Sequence, residues 1–528
     1  MSLRPVLVAG EWRAASNPSG TFSAIDPATK TALPDRFPVS SIEDVERACQ
    51  AASEAASPLR TVPRESLGRF LDAYAAAIES DADALVALAA RETGLPASPR
   101  LRSVELPRTT TQLRQGAAAV RDRSWCQATI DTKANLRSHF GPLGPVAVFA
   151  PNNFPFAFNA VAGGDFVAAI AAGNPVIAKA NPGHPGTSSR LAGLAFSALR
   201  AAGLPPATVQ LLYNTLPAVG LKLVAHRALG ATGFTGSKEA GLQLKAAAER
   251  AGKPIYLEMS SANPVFVLSG ALKERSTAIA KELADSCAMG AGQFCTRPGL
   301  TIIEKGERGE AFVREVAALF EAGTPGTLLT GRAVSAIGDA LEELTAHGAQ
   351  IVTGGRAPEG PRYCFANTLL RVPASGFLLD PHALQTEAFG TVNLIVLADD
   401  VAQMIQVATA LDGNLTGCVY SDTAGSDDET YARLEPVLRK RVGRLLNDKM
   451  PTGVAISAAM NHGGPFPATG HPGFTAVGIP ASLLRFTALH CYDNVRAPRL
   501  PAELQNANPT GKMWRLIDGA WSQQDLVG

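Results

Sequence analysis

The chain has 528 residues, of which 46% are hydrophobic and 18% charged, and its formal net charge is +1. This balance excludes an intrinsically disordered chain and a nucleic-acid-binding surface, and no segment is apolar for long enough to predict a secretion signal or a membrane span. The seven cysteines are scattered without a CxxC pair, which argues against a disulfide framework or a zinc finger, so we expect a cytoplasmic protein of two or three lobes.

Between residues 145 and 258, short apolar runs alternate with longer, Ala-rich segments. The apolar runs predict buried strands at 145–150, 175–179, 208–212, 229–234 and 254–258. The segments between them predict helices at 159–172, 187–202, 218–226 and 237–250. Strands and helices that alternate at this spacing predict a parallel, doubly wound sheet, which binds its ligands at the carboxyl ends of the strands.

A less regular alternation continues to residue 446, with a strand candidate at 265–268 and a helix candidate at 277–289. It predicts a second α/β lobe. The segments 129–139 and 483–492 predict strands that lie outside both lobes, and the stretch 447–528 is rich in Gly, Pro and loops.

Polar positions fall where strands of the first series end. The amide of Asn153 suits a developing oxyanion, although an Asx turn is the commoner use of such a residue. Glu258 ends an apolar strand, where a carboxylate needs either a partner, as in a cap or a loop bridge, or a chemical task. Gly236 and Ser237 begin a helix whose free N–H groups attract phosphate, although they also form an ordinary cap. Lys179 projects toward the same sheet edge, where a lone lysine is usually solvated.

Two segments of the second lobe also carry candidate residues. Cys295 lies in the small-residue loop 290–299, where it is either a nucleophile or a buried structural thiol. Glu387 and Phe389 precede an apolar strand. The carboxylate suits a sugar hydroxyl and the ring suits a flat partner, while a turn with a core Phe is the alternative.

Jointly, these segments resemble the aldehyde dehydrogenase superfamily over roughly residues 20–500. The matching motifs are Asn-Phe-Pro at 153–155, Lys179, Phe-Thr-Gly-Ser at 234–237, Leu-Glu-Met-Ser at 257–260, Gly-Gln-Phe-Cys at 292–295 and Glu-Ala-Phe-Gly at 387–390. The resemblance implies an α/β fold with a Rossmann-like cofactor domain, an α/β catalytic domain and a small β oligomerisation arm. The implied ranges are 1–125 and 141–257 for the cofactor domain, 258–447 for the catalytic domain, 126–140 and about 483–500 for the arm, and 448–482 for loops that return to the cofactor domain and the active site.

The resemblance also implies a reaction, the NAD(P)-dependent oxidation of an aldehyde to a carboxylic acid. Cys295 would attack the carbonyl, while Asn153 and the backbone N–H of Cys295 would hold the oxyanion. Glu258 would then activate the water that hydrolyses the thioester. The implied cofactor contacts are Lys179, Gly236, Ser237, Glu387 and Phe389.

Pro182 stands where many NAD-preferring members have a Glu that bonds the adenosine ribose. A carboxylate there would repel the 2′-phosphate of NADP, so its absence permits NADP without requiring it. We therefore expect NADP or NAD, with a lean to NADP and dual use left open.

The segments 179–187, 294–299 and 461–469 resemble the 2,5-dioxopentanoate (α-ketoglutarate semialdehyde) dehydrogenase branch, which forms 2-oxoglutarate. That branch also resembles an NADP-using long-chain aldehyde dehydrogenase. A substrate that carries a carboxylate suits an Arg fork. The candidate substrate-binding residues are Arg297, Arg102, Arg108 and His462, each of which also has an ordinary structural interpretation. The expected partners are the small-molecule aldehyde and further copies of the chain, as a homodimer or homotetramer, and no metal is expected.

Three other classes compete with this interpretation. A cysteine hydrolase would pair Cys295 with an imidazole and need no cofactor. A CoA-acylating dehydrogenase would usually lack the general base, whereas Glu258 is present. A non-catalytic binder would be expected to have lost Cys295, Glu258 or Asn153, and all three are present.

Overall fold

The computed structural model describes residues 3–526, and its first sheet has seven strands. Five of them pair in parallel, and the N-terminal hairpin extends one edge in the antiparallel sense. In spatial order the strands are Ile255–Glu258, Ala231–Thr235, Val146–Phe149, Val176–Lys179, Val209–Leu212, Val6–Val8 and Glu11–Arg13.

The chain order of the parallel strands reverses at Val146–Phe149. When the five are numbered along the chain, their spatial order is 3-2-1-4-5, with Val146–Phe149 as strand 1. Its two neighbours, Val176–Lys179 and Ala231–Thr235, therefore lead away in opposite directions. A crevice at the carboxyl ends on either side of such a reversal is where doubly wound sheets bind their ligands.

Helices cover the faces of this sheet and form one large apolar core with it. Pro and Gly residues define several of their ends. Gly173, with φ of 94°, follows the helix at 164–171, and Pro185 occupies the first position of the next helix. The helices are Ile42–Thr61, Arg64–Ser80, Ala82–Thr93, Leu106–Asp122, Gly164–Ala171, Pro185–Ala201, Pro217–Val224 and Lys238–Arg250, with a π-helical segment at Ala97–Glu105.

The second sheet also has seven strands and is parallel except for one edge strand. In spatial order its strands are Gln350–Thr353, Thr368–Pro373, Val392–Ala398, Leu300–Glu304, Val265–Val267, Asn414–Tyr420 and Val442–Asn447. Two apolar clusters bury its faces. The covering helices are Ser269–Ala288, Glu307–Ala322, Gly331–Ala346, Ala374–Phe377, Val401–Ala410 and Asp428–Leu438.

A third sheet of five strands lies outside both lobes. It joins strands from the middle of the chain to strands from its end, and the short helix Ala481–Leu484 leads into it. In spatial order the strands are Thr487–Asp493, Leu136–Pro142, Thr129–Asp131, Arg515–Ile517 and Ala520–Ser522.

The predicted α/β fold is confirmed, and each strand predicted between 145 and 268 is present to within two residues. The helix predicted from 159 begins only at Gly164, because residues 157–163 form turns in which Asn159 bonds its own backbone neighbours. The helix predicted from 277 begins at Ser269 and contains a kink at Arg275. The strands at 515–517 and 520–522 were not predicted, because their apolar residues are few. Within residues 3–526, no helix combines the length and hydropathy that crossing a bilayer requires.

Candidate active site

Three side chains from distant segments meet in a hydrogen-bonded row between the two lobes. Cys295 Sγ lies 3.4 Å from His462 Nε2, and the same nitrogen lies 3.1 Å from Glu258 Oε1. His462 and Glu258 are 2% and 1% exposed, and Cys295 is half-buried. We call Cys295, His462 and Glu258 the catalytic cluster. It places a thiol and a carboxylate around one imidazole nitrogen, so His462 Nε2 can exchange a proton with either neighbour.

The side-chain amides of two buried asparagines fix the loop that carries Cys295. Asn263 Nδ2 donates to the carbonyl oxygens of Cys295, at 2.8 Å, and Arg297, at 2.9 Å. Asn414 Oδ1 in turn accepts from the backbone N–H groups of Ala262 and Asn263 at 2.8 and 2.9 Å. Since these groups are buried, the network restrains the position of the backbone around Cys295.

A backbone contact joins this loop to the segment 387–390. Gly292 has φ of 72°, and a Cβ added to it would lie 2.0 Å from the carbonyl carbon of Gly390. Only glycine permits both this conformation and this approach. The glycine requirement therefore arises from contact between two loops.

Glu258 and His462 are tied together through the late segment 448–480. Glu258 ends its strand and forms an isolated antiparallel bridge with Thr469, while Met259 N donates to Ala468 O at 2.8 Å. The backbone N–H of His462 donates to Thr475 Oγ1 at 3.0 Å. The predicted return of this segment toward the active site explains how residue 462 reaches residue 258.

Asn153 approaches the Cys295 loop from the first sheet. Its Nδ2 donates to Gln293 O at 2.9 Å, two residues before the nucleophile. An amide nitrogen carries two hydrogens, so one remains for an oxyanion at Cys295. The predicted trio of residues 153, 258 and 295 therefore surrounds one region.

A buried ion pair fixes the backbone at Asn153 and at the residues that follow it. Arg100 pairs with Glu105 through Nη1, and its Nη2 donates to Asn153 O at 3.1 Å. Glu105 Oε1 accepts from the N–H groups of Phe156 and Ala157 at 2.7 and 3.0 Å.

The Arg100 guanidinium also lies against two aromatic rings. It is 4.4 Å from the ring centroid of Phe154 and 5.2 Å from that of Phe294, the residue before Cys295. The pair thus touches both the amide loop and the nucleophile loop. Sequence reasoning missed Arg100 and Glu105, and it also missed Asn263 and Asn414, because nothing in their local sequences indicates these long-range contacts.

Burial and charge keep the Cys295 thiol protonated at rest. Burial raises its pKa well above the ordinary value, and the neighbouring Glu258 carboxylate raises it further. Arg108 acts in the opposite direction. Because a thiolate is a far stronger nucleophile than a thiol, attack would require a base, and both His462 and Glu258 lie close enough to Sγ to be candidates.

Several predicted cofactor residues line the carboxyl edge of the first sheet. Lys179 ends its strand, and burial lowers its pKa to about 8. Gly236 follows the strand Ala231–Thr235, on the other side of Val146–Phe149, where an added Cβ would meet the Phe234 ring at 2.7 Å. Ser237 caps the next helix by accepting from Ala240 N at 3.4 Å, which leaves the helix N-terminus facing the crevice. A half-buried lysine at a strand end, a glycine turn and a helix N-terminus suit a dinucleotide phosphate.

The other predicted cofactor residues lie on two loops. Pro182 is exposed between the Lys179 strand and the following helix. Glu387 and Phe389 are half-buried on the loop that contacts Gly292. Burial raises the pKa of Glu387 to about 7, although Arg297 opposes that shift. Of these three residues, only Glu387 offers a side-chain acceptor.

The arginines that were predicted to bind substrate differ in their surroundings. Arg102 pairs with Asp83 and is 43% exposed, away from the buried catalytic cluster. Arg297 is 3% exposed and donates to the carbonyls of Pro298, Ala388 and Val392. The structure does not support a substrate role for either residue, because the first lies in solvent and the second is occupied by backbone oxygens.

Arg108 is placed differently. Its guanidinium lies 5.5 Å from the Phe158 ring centroid, and Phe158 packs 5.9 Å from the His462 ring. Nη1 donates to Val454 O, while the buried Nε and Nη2 have no hydrogen-bond partner among residues 3–526. An arginine with two buried, unpaired nitrogens near the nucleophile is a candidate anion-binding group.

The chain was compared with known proteins. A family profile described as the aldehyde dehydrogenase family matches residues 12–436. "Alpha-ketoglutaric semialdehyde dehydrogenase 2" of Azospirillum brasilense is 39% identical over 96% of this chain and 97% of its own length. "Alpha-ketoglutaric semialdehyde dehydrogenase" of Acinetobacter baylyi is 36% identical over 92% of this chain and 93% of its own.

Solved structures support the same fold. Lactaldehyde dehydrogenase from Escherichia coli aligns with a TM-score of 0.79 at 22% identity, over 93% of this chain and 98% of that chain. Gamma-glutamyl-gamma-aminobutyraldehyde dehydrogenase from Burkholderia cenocepacia aligns with a TM-score of 0.80 at 22% identity, over 93% and 97%. Together with the family profile and the two relatives, these alignments show that the chain is an enzyme of the aldehyde dehydrogenase family.

Proposed function

We propose that this enzyme oxidises 2,5-dioxopentanoate to 2-oxoglutarate through a thioester on Cys295, with NADP or NAD as the oxidant. The observation that carries the proposal is the catalytic cluster with Arg108 beside it. The two relatives named for α-ketoglutaric semialdehyde support the choice of substrate. In the overall reaction, the aldehyde, water and oxidised cofactor become the acid, reduced cofactor and a proton.

The first step is attack by the Cys295 sulfur. His462 takes the thiol proton, since its Nε2 is 3.4 Å from Sγ, and Glu258 stabilises the resulting imidazolium from 3.1 Å. The sulfur then bonds to the aldehyde carbon, and the carbonyl oxygen gains negative charge. Asn153 Nδ2 and the backbone N–H of Cys295 donate to that oxygen, and one such donor lowers a barrier by about 3 kcal/mol.

The second half of the reaction releases the acid. NAD(P)⁺, when bound, would accept the hydride that leaves the substrate carbon, so that a thioester on Cys295 remains. Glu258, assisted by His462, takes a proton from water, and the hydroxide attacks the thioester carbonyl. The carbon–sulfur bond breaks, the thiolate of Cys295 takes back the proton that His462 holds, and Glu258 releases the water proton to solvent.

Arg108 is proposed to bind the carboxylate of the substrate. Burial lowers the pKa of its guanidinium, whereas the charges of Cys295 and Glu258 raise it. Two of its nitrogens are buried without a partner in the described part of the chain, so a carboxylate would satisfy both at once. A long-chain aldehyde would leave them unsatisfied, which disfavours it as the preferred substrate.

The proposed cofactor preference is for NADP, with NAD as a second substrate. Pro182 supplies no charge against a 2′-phosphate, and Lys179 supplies a cation close to that edge. A phosphate next to Lys179 would offset the burial that lowers the pKa of this lysine to about 8.

Steady-state kinetics test the function directly. We expect kcat/KM to be highest for 2,5-dioxopentanoate, lower for succinic semialdehyde and lowest for a long-chain aldehyde, each measured with NADP and NAD. Cys295→Ala should abolish turnover but retain cofactor binding measured by fluorescence. Turnover that requires CoA, or a preference for the long-chain aldehyde, would overturn the proposal.

A cysteine hydrolase remains as the second candidate, because the imidazole it requires lies against Cys295. Hydrolysis of a thioester or ester without any cofactor would favour it. Formation of reduced cofactor in proportion to aldehyde consumed would exclude it as the main activity.

A homo-oligomer is proposed from the third sheet. Its surface exposes Leu489 at 61% and Trp521 at 56%, and exposed apolar side chains on sheet strands are typical of subunit contacts. The mass in solution, measured by light scattering, distinguishes a dimer from a tetramer and would reject the proposal if it equalled that of a monomer.

A further inference from the structure

The catalytic cluster has the donor types and spacing of a divalent-metal site. Its three ligand atoms lie within 4.8 Å of one another, with Sγ–Nε2 at 3.4 Å and Nε2–Oε1 at 3.1 Å. In tetrahedral zinc sites with the usual bond lengths, ligand atoms are about 3.3–3.6 Å apart. Two edges of the cluster are therefore already close to that geometry, and the third, Sγ–Oε1, is no longer than 4.8 Å.

We propose that Zn²⁺ binds reversibly to Cys295 Sγ, His462 Nε2 and Glu258 Oε1 and inhibits the enzyme, with water as the fourth ligand. The inhibition rests on the proposed function, because it needs the cluster to be catalytic. The binding itself does not depend on that function.

The charges of the cluster match a divalent cation. On binding, the Cys295 thiol releases its proton to solvent and a sulfur–zinc bond forms, without oxidation or reduction. The thiolate and the Glu258 carboxylate then neutralise the two positive charges of the metal. His462 contributes a neutral nitrogen.

A second observation indicates that Glu258 has coordination capacity to spare. Its Oε2 is buried and has no hydrogen-bond partner among residues 3–526. A bound cation would stabilise both oxygens of this carboxylate in a way that the single contact with His462 does not. Mixed Cys, His and carboxylate donors are typical of zinc sites.

Bound zinc would occupy every group on which turnover depends. The metal would hold the sulfur lone pair that attacks the aldehyde, the imidazole nitrogen that accepts the thiol proton, and the carboxylate that activates water. Since the aldehyde and the metal need the same sulfur, inhibition should be competitive with aldehyde.

The experiment uses the full-length enzyme after removal of metal with a chelator. Turnover is measured against increasing ZnCl₂, and chelator is then added to restore it. Binding is measured separately with CoCl₂, since a cobalt–thiolate bond gives an ultraviolet charge-transfer band that does not depend on activity. We expect one cobalt per subunit, competed by zinc, and full recovery of turnover with chelator.

Variants identify the ligands. His462→Gln and Cys295→Ser should each weaken cobalt binding by about 100-fold or more, because even outer-shell partners of a metal site are worth 10–100-fold. Cys295→Ser should also remove the charge-transfer band. The control is Cys491→Ser, which removes the exposed free thiol and should leave zinc inhibition, cobalt binding and basal turnover unchanged.

Three results would overturn the inference. These are a charge-transfer band that survives in Cys295→Ser, zinc inhibition that is lost in Cys491→Ser, and cobalt affinity that is unchanged in His462→Gln. Cobalt binding with the expected variant pattern, in a protein that oxidises no aldehyde, would instead refute the proposed function and leave the metal site standing.

Discussion

Two arginines near Cys295 belong to regions that are built differently. Behind the nucleophile loop, Arg297 donates to three backbone carbonyls and leaves only its Nε unpaired among residues 3–526. Asn263 donates to two further carbonyls, and Asn414 accepts from two backbone N–H groups. Beside the catalytic cluster, Arg108 has one carbonyl partner and two unpaired buried nitrogens. The comparison teaches that burial alone does not identify a binding residue. Unpaired nitrogens mark Arg108 as a candidate because they lie near the catalytic cluster, whereas the unpaired nitrogens of other buried arginines, such as Nη2 of Arg485, carry no such indication.

The largest effect is expected from substitution of Glu258, the carboxylate of the catalytic cluster. Glu258→Gln removes the base that activates water, so kcat should fall by about 1,000-fold. The thioester should still form, because attack uses His462. Stopped-flow absorbance should therefore show a burst of about one reduced cofactor per subunit. A variant without the burst would show that Glu258 acts in the attack itself.

Arg108→Met tests whether the unpaired arginine recognises a carboxylate. We expect kcat/KM for 2,5-dioxopentanoate to fall by about 100-fold, because losing a buried charge pair costs about 2–5 kcal/mol. The kcat/KM for octanal should change by less than about threefold. The matched control is Arg102→Met, an exposed arginine that should leave both rates unchanged. Equal losses for both aldehydes would contradict the assignment.

Arg297→Met tests the region behind the nucleophile loop, where the arginine donates to backbone carbonyls. Three buried carbonyls would lose their donor, so the free energy of unfolding should fall by about 3 kcal/mol. Urea denaturation followed by circular dichroism measures this loss. The ratio of kcat/KM between 2,5-dioxopentanoate and octanal should stay the same, and a changed ratio would return Arg297 to the substrate site.

Glu105→Gln tests the ion pair that joins the two loops. The variant keeps an oxygen for Phe156 and Ala157 but leaves Arg100 unpaired, so we expect kcat to fall by about tenfold through loss of alignment. The KM for the cofactor should not change. Glu65→Gln, at an exposed ion pair with Arg121, is the control and should have almost no effect. A loss confined to thermal stability would show that the pair has no positioning role.

The smallest effect concerns the pH dependence of the thiol. Because the pKa of Cys295 is raised, its thiolate fraction should increase tenfold per pH unit below that pKa, and alkylation by iodoacetamide should accelerate accordingly. Glu258→Gln removes a negative charge, so the pKa should fall and alkylation at pH 7 should quicken about fivefold. Cys491→Ser as the background removes the exposed thiol. Slower alkylation in Glu258→Gln would mean that Glu258 acts mainly as the base for the thiol.

The sequence predicted the strands of the first sheet because these depend on local signals, and it also selected residues 153, 258 and 295, whose roles stay a prediction. Alternating apolar runs define strands 146–149 to 255–258, and the residues at their ends fall at one edge by topology alone. The contacts of Arg297 and Arg108 were not predictable in this way. Both are arginines near motifs, and only the three-dimensional positions of carbonyls 298, 388 and 392 distinguish them. His462 was ambiguous for the same reason, since residue 462 reaches residue 258 through a long return of the chain.

The contact of Gly292 with the backbone of Gly390 has a mechanical consequence. Since the two loops touch without an intervening side chain, there is no flexible layer to absorb displacement between them. A change that displaces Gly390 is therefore expected to displace Gly292, three positions before Cys295, as well. A redesign of the loop at 387–390 then calls for a compensating change in the loop at 290–299.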